Sequence, residues 1–231
     1  IGRGMDNFDI EEFKADFAFT VDGGTLGEIE FENFNACNVK VKISGRNIHP
    51  GYAKNKMINS ILIAQELISR LPAKERPELT EDYEGFFHIN GIKGNVESLE
   101  MDFLIRDHDI NAFNSRKDFF ADIAGSLNEK YGYTAVSCEY KDVYYNMKDI
   151  IDKKKYIIDY AVLAMEELYI NPVIRPIRGG TDGARLSYMG IPCPNLFTGS
   201  HNIHGKYEYL SVGTMKKASD VILNILRRMC L

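Results

Sequence analysis

The side chains that could do chemistry in this sequence gather at a few turn-rich places. Asp22 closes the run "FTVDGG", where a carboxylate at the end of a buried strand, followed by Gly23 and Gly24, points out of the sheet into a crevice. Ligand sites in α/β sheets collect at the C-terminal ends of strands, although from "DGG" alone a turn aspartate bonding its own backbone is the simpler reading. His204 follows the strand-like "PNLFTG" in a loop of Gly, Ser and Asn. Neutral imidazole is the commonest metal ligand; a loop histidine with no task is the plainer alternative. The run "HNIHG" lacks the HExxH arrangement of a helical zinc site, so His201 and His204 are not both read as ligands. Glu208 could orient His204 or be a surface charge. In "IRGGTDGARLSYMG", Gly179 and Gly180 allow close backbone approach, and Thr181 with Asp182 can start a helix. That start reads either as an anion site, with Arg178 adding a planar cation, or as an ordinary N-cap. It is not a P-loop, because the GxxxxGK[ST] spacing is missing.

Elements must position these groups. "CNVKVKISG" alternates Val39, Val41 and Ile43 against Lys40 and Lys42, which predicts a half-buried strand. Met57, Ile61, Ala64, Ile68 and Leu71 fall at helical spacing before Pro72 ends the run. "YEGFFHIN" and "ESLEMDFLIRD" read as strands joined through "GIKGNV". Phe113, Phe120, Ile123, Ala124 and Leu127 mark a second helix, and "TAVSCEYKDVYY" closes as a strand. The order β-α-β-β-α-β over about residues 34–144 is the ferredoxin-like split βαβ pattern. Helices over 153–169 and around Met215–Met229 flank the Gly/Pro-rich run that follows. The middle thus reads as a domain inserted into an α/β unit. Within it His49, in "GRNIHPG", follows the first strand, and Arg106, in "LIRD", closes the third. With those two strands adjacent and parallel, imidazole and guanidinium would converge at one sheet end as an anion or oxyanion clamp. Two rim residues on opposite faces are the alternative. His88 and His108 read as surface or sheet residues.

The totals frame the partners. The 231 residues carry a net charge of −5, with 45% hydrophobic and 26% charged residues. That balance describes an ordinary globular protein and argues against nucleic-acid and anionic-membrane partners. Cys37, Cys138, Cys193 and Cys230 are scattered with no CxxC pair, which leads us to expect a reduced, cytoplasmic setting.

Taken together, "FTVDGG", "FENFNA", "NIHPGYAKNKMIN", "YEGFFHI", "YYNM", "PIRGGTDGARLSYMGIPCPNLFTG" and "HGKYE" resemble the peptidase T family, tripeptide aminopeptidases of the dinuclear zinc M20 peptidases. The resemblance covers essentially the whole chain, and "IRGGTDGA" with "HGKYE" is its specific pair. It implies an α/β, zinc-exopeptidase-like catalytic domain made by residues 1–33 and 145–231, with a ferredoxin-like lid at 34–144. It further implies Asp22 as a ligand of one zinc and His204 as a ligand of the other. His49 is implied as the catalytic lid histidine that holds the substrate carbonyl or oxyanion. Arg106 would face the substrate carboxylate, and Arg178, Gly180 and Thr181 would form the substrate-side loop.

Family members carry an HxD segment, a bridging Asp and a Glu-Glu pair upstream, the pair followed directly by "IG"; this chain begins "IGRG". The resemblance therefore implies a partial, inactive form with incomplete sites for two zinc ions. Its partners would be the missing N-terminal half of the catalytic domain, a tripeptide, and a second copy in a homodimer. Two further readings stand beside it: a related M20 metallopeptidase or amidohydrolase with another substrate, and a non-catalytic oligomerisation module.

Overall fold

The structure, a computed structural model, describes residue 5 and residues 7–230. It divides into a unit of residues 35–144 and a flanking unit of 1–34 with 145–231. In chain order the flanking unit first makes α1 (Ile10–Phe13), β1 (Thr20–Gly23) and β2 (Glu28–Asn33). Residues 35–144 then form β3 (Asn35–Ser44), α2 (Ser60–Arg70), β4 (Phe86–Gly94), β5 (Ser98–Asp107), α3 (Ile110–Tyr131) and β6 (Val136–Tyr144). On its return the chain makes α4 (Lys148–Ile151), α5 (Tyr156–Glu166), β7 (Val173–Ile177), α6 (Asp182–Tyr188) and β8 (Asn195–Phe197). The short strands β9 (Ser200–His201) and β10 (Tyr209–Leu210) and the helix α7 (Val212–Met229) complete the described chain.

Residues 35–144 carry the β-α-β-β-α-β order on one four-stranded sheet, β4-β5-β3-β6. In β3 the alternation works as expected: Cys37, Val39, Val41 and Ile43 are buried and Asn38, Lys40, Lys42 and Ser44 exposed. Those side chains and Met101, Phe103 and Ile105 of β5 pack under Phe113, Phe120 and Leu127 of α3. Asp109 caps α3 by accepting the Ala112 N–H at 2.8 Å, and Gly132 ends it at φ 73°. β3 and β5 run antiparallel, pairing Ala36 with Arg106 and Ser44 with Ser98. The parallel arrangement expected from sequence is therefore corrected. A strand entered from a hairpin alternates direction with its neighbour, and β4–β5 is such a hairpin.

The helical stripe of α2 also needs correcting. Ile63, Ala64 and Leu67 face the core, while Ile61 is 44% exposed. Both sides of "SILIAQELIS" are apolar, so periodicity could not choose between them. The choice is made at the first turn, where the Ser60 N–H donates to Val96 O at 3.0 Å and its hydroxyl to Asn95 O.

The flanking unit holds a mixed sheet, β1-β8-β2-β7. β1 runs parallel to β8, β8 antiparallel to β2, and β2 parallel to β7. Ile29 and Phe31 of β2, Ile158, Ala161 and Met165 of α5, and Val221 and Ile225 of α7 share its core. β1 lies at the sheet edge with Val21 43% exposed, so it is not the buried strand that its sequence predicts.

Candidate active site

Asp22 sits where β1 leaves the sheet. β1 pairs Val21 with Leu196 and Gly23 with Phe197, so Asp22 is the extra residue of a bulge. A bulge bends its strand and re-aims a side chain, and Asp22 is exposed there. Gly23 is required by close approach: a Cβ would lie 2.8 Å from Leu196 O and 3.2 Å from the Glu30 carboxylate. The turn is then fastened from the β8 side. Thr198 donates to Gly23 O through its amide at 3.1 Å and its hydroxyl at 2.8 Å, and the Gly199 N–H donates to Gly24 O at 2.8 Å.

That same segment leads into the β9–β10 hairpin, where Ser200 pairs with Leu210 and His201 with Tyr209. His204 lies in the exposed connection between the two strands, at φ 63°. Its N–H donates to Glu208 Oε2 at 3.1 Å. Glu208 thus fixes the backbone at His204. His201 stacks on Tyr209 with ring centroids 4.9 Å apart, which assigns it to the hairpin.

Charge links these parts. The Asp22 carboxyl is held above its usual range, first by desolvation and then by Asp182, while His204 pulls it down. The charge of His204 therefore reaches Asp22, 182 positions earlier in the sequence. Behind Asp22, burial raises the Glu30 carboxyl to about 7, opposed by a hydrogen bond from Asn195 Nδ2 at 3.2 Å and reinforced by Glu28 and Asp22. Glu28 accepts the Thr25 N–H and hydroxyl, each at 2.7 Å. Sequence reading passed over both glutamates. The available signal was "GEIEFEN", whose alternation puts Glu28, Glu30 and Glu32 on one face of a strand in the core, an uncommon place for carboxylates.

Thr181 is the N-cap of α6: its hydroxyl accepts the Ala184 N–H at 3.1 Å. This supports the cap reading, and α6 is only 7 residues long. Gly183 packs where a Cβ would overlap Cys193 O and come within 2.9 Å of Thr20 Oγ1. Arg178 lies half-buried with its guanidinium 5.1 Å from the Phe34 ring centroid, and Gly180 is half-buried beside it.

Within residues 35–144, His49 and Arg106 do not converge. Arg106 lies at the Ala36 end of β3, and His49 follows the Ser44 end. Eight residues of strand separate those levels, roughly 27 Å at about 3.4 Å each. His49 Nδ1 accepts the Gly51 N–H at 3.1 Å, which places the proton of a neutral ring on Nε2. The Arg106 guanidinium lies 5.9 Å from the Phe86 ring and 6.0 Å from that of Tyr144. His108 is buried against Tyr83 at 4.9 Å between ring centroids, not at the surface, while His88 stands half-exposed on β4. Among the described residues, no three His, Cys, Asp or Glu side chains gather as a metal-holding group.

Comparison with known proteins places this arrangement. Residues 31–135 match the family model described as the peptidase dimerisation domain, M20 type. The fold is similar to the crystal structure of aminopeptidase PepT from Bacillus cereus, with a TM-score of 0.85 at 20% identity, covering 99% of this chain and 61% of that one. The chain thus carries the α/β fold of the M20 peptidases. Among curated proteins it is 56% identical over 97% of its length to Peptidase T of Caldanaerobacter subterraneus, and 55% identical over 98% to that of Clostridium perfringens. Along nearly its whole length the chain is similar to Peptidase T proteins. It spans 55% and 56% of the length of those two relatives.

Proposed function

We propose that this chain contributes ligands and substrate contacts to a zinc-dependent tripeptide aminopeptidase. The observation that carries the reading is that the β1 bulge bearing Asp22 is hydrogen-bonded at Gly23 and Gly24 to Thr198 and Gly199, the segment that runs from β8 into the hairpin carrying His204. Asp22 and His204 fit as one ligand each of two metal ions. A closed zinc shell takes about four positions, so each site needs ligands beyond these two. When bound, zinc supplies Lewis-acid polarisation of the scissile carbonyl and a water of lowered pKa. By itself the chain holds zinc weakly and hydrolyses nothing.

The other residues divide the substrate. His49 presents an Nε2–H donor, the group required where negative charge develops on the carbonyl oxygen. Arg106 receives the C-terminal carboxylate, held by its aromatic neighbours at a fixed reach. Arg178, Gly180 and Thr181 line the substrate side, with Thr181 setting the backbone there through its cap. A tripeptide extends only about 10 Å. Because His49 and Arg106 belong to opposite ends of one sheet, a single copy does not offer both to one tripeptide. The match to a dimerisation domain supports a homodimer in which the second of the pair comes from the other copy.

The test is a chimera in which the matched segment of the Caldanaerobacter Peptidase T is replaced by this chain. Tripeptides with a free N-terminus should be hydrolysed at least roughly tenfold better than N-acylated amino acids, as expected where a buried polar recognition group goes unpaired. The reverse order would assign the site to an M20 amidohydrolase.

A further inference from the structure

Asp22 is followed by two glycines, the residues with the widest backbone freedom, so the aim of its carboxylate depends on what fastens the chain beyond them. Thr198 and Gly199 hold Gly23 O and Gly24 O from the β8 side. A second fastening comes from Glu28, a buried carboxylate at the head of β2 with no part in the proposed metal or substrate contacts. Glu28 Oε2 accepts the Thr25 N–H and Oε1 the Thr25 hydroxyl, each at 2.7 Å, while the Glu28 N–H donates to Thr25 O at 3.1 Å. These hydrogen bonds tie Thr25 and Glu28 into one closed turn. Gly24 lies against the same carboxylate, and a Cβ there would overlap Glu28 Oε2. Oε1 also meets Arg175 Nη1 at 3.5 Å, on β7, the strand that pairs with β2 from Glu28 and Val173 onward. The carboxylate is therefore tied to the sheet on one side and to the Asp22 turn on the other.

We propose that Glu28 is a positioning residue for Asp22. By holding Thr25 it closes the far end of the Gly23–Gly24 run, so that the β1 bulge presents the Asp22 carboxylate in one direction. The inference rests on the assignment of Asp22 as a metal ligand. An outer carboxylate of this kind orients a ligand without touching the ion, and its loss costs about 10–100-fold in metal affinity. Thr25 is exposed, so water can take its N–H once Glu28 is gone. What is lost is the fixed path of the turn.

The test is zinc affinity in the Peptidase T chimera, measured by chelator competition for Asp22→Ala, Glu28→Ala and Glu28→Gln. Asp22→Ala should abolish one zinc site. Glu28→Ala should weaken that same site about 10–100-fold and leave the other unchanged, with faster amide exchange at Thr25 and Gly199. Glu28→Gln keeps an acceptor for the Thr25 N–H and should recover most of the affinity. A lower melting temperature in Glu28→Ala with both zinc affinities unchanged would overturn the inference. So would equal loss in Glu28→Ala and Glu28→Gln, which would assign the effect to the charge beside Arg175. Full zinc affinity in Asp22→Ala would overturn the ligand assignment and the inference with it, whereas loss in Asp22→Ala alone would overturn the inference only. Should Glu28→Ala fail to fold, Thr25→Val decides. It removes one hydroxyl contact and should weaken the same site about threefold to tenfold, the worth of one hydrogen bond, and an unchanged site would overturn the positioning role.

Discussion

At the scale of the residue, Glu30 is the most exposed to test. Its carboxyl stands at about 7 in the fold against 4.5 for an ordinary glutamate, chiefly because burial disfavours its charged form. The folded state therefore binds the proton more tightly than the unfolded state. Stability is full below about pH 4.5, falls as pH rises toward 7, and stays at the lower level above it. At about 1.4 kcal/mol per tenfold in proton affinity, the loss amounts to about 3 kcal/mol. Urea titrations from pH 4 to 8 should show that slope, and Glu30→Gln should flatten it and be the more stable form at pH 8. A second residue-scale prediction concerns Gly183. With a Cβ pressed against Cys193 O and Thr20 Oγ1, Gly183→Ala should cost about 1–3 kcal/mol of overpacking, seen as a lower urea midpoint. Neither position was singled out from the sequence. Glu30 was passed over because its burial depends on β8 returning from residues 195–197 to lie beside β2. Gly183 looked like one more glycine of a rich run.

Elements were legible where a single local pattern determined them. β3 alternates because one face is buried, and α3 shows its buried stripe because Phe113, Phe120, Ile123, Ala124 and Leu127 leave no rival face. α2 misled because both of its faces are apolar and a tertiary contact at Ser60 sets its rotation. The relative direction of β3 and β5 was misread for a different reason: local patterns do not record pairing direction, which follows from the connections. The β2 and β7 strands escaped notice because buried carboxylates and Pro176 interrupt their apolar pattern. Thr181 gives an element-scale prediction. Its hydroxyl satisfies the Ala184 N–H at the start of α6, so Thr181→Ala should lower stability by about 1 kcal/mol while Thr181→Ser nearly restores it. Chemical denaturation of the two variants checks this, and equal loss in both would remove the cap from the account. In the core of residues 35–144, Phe120 is fully buried, with its ring 4.9 Å from that of Phe103. Phe120→Ala should cost about 3–5 kcal/mol, read as a large drop in the melting temperature.

For the molecule as a whole, the candidate site was legible in its residue types and only partly in their placement. Asp22 and His204 carry turn-rich neighbours that mark them, and the topology links them through Thr198 and Gly199. The separation of His49 from Arg106 was hidden in strand direction, and it makes the second copy a requirement of the proposed chemistry. Sedimentation of the chain should accordingly show a dimer at micromolar concentration, and a strict monomer would break the shared-substrate arrangement. The central claim is that Asp22 and His204 each hold one of two metal ions, and the zinc content of the Peptidase T chimera tests it most directly. The account predicts two zinc ions per chimeric chain, and the loss of one with Asp22→Ala and of one with His204→Ala, each abolishing tripeptide hydrolysis. Full zinc content and undiminished hydrolysis in both variants would contradict it.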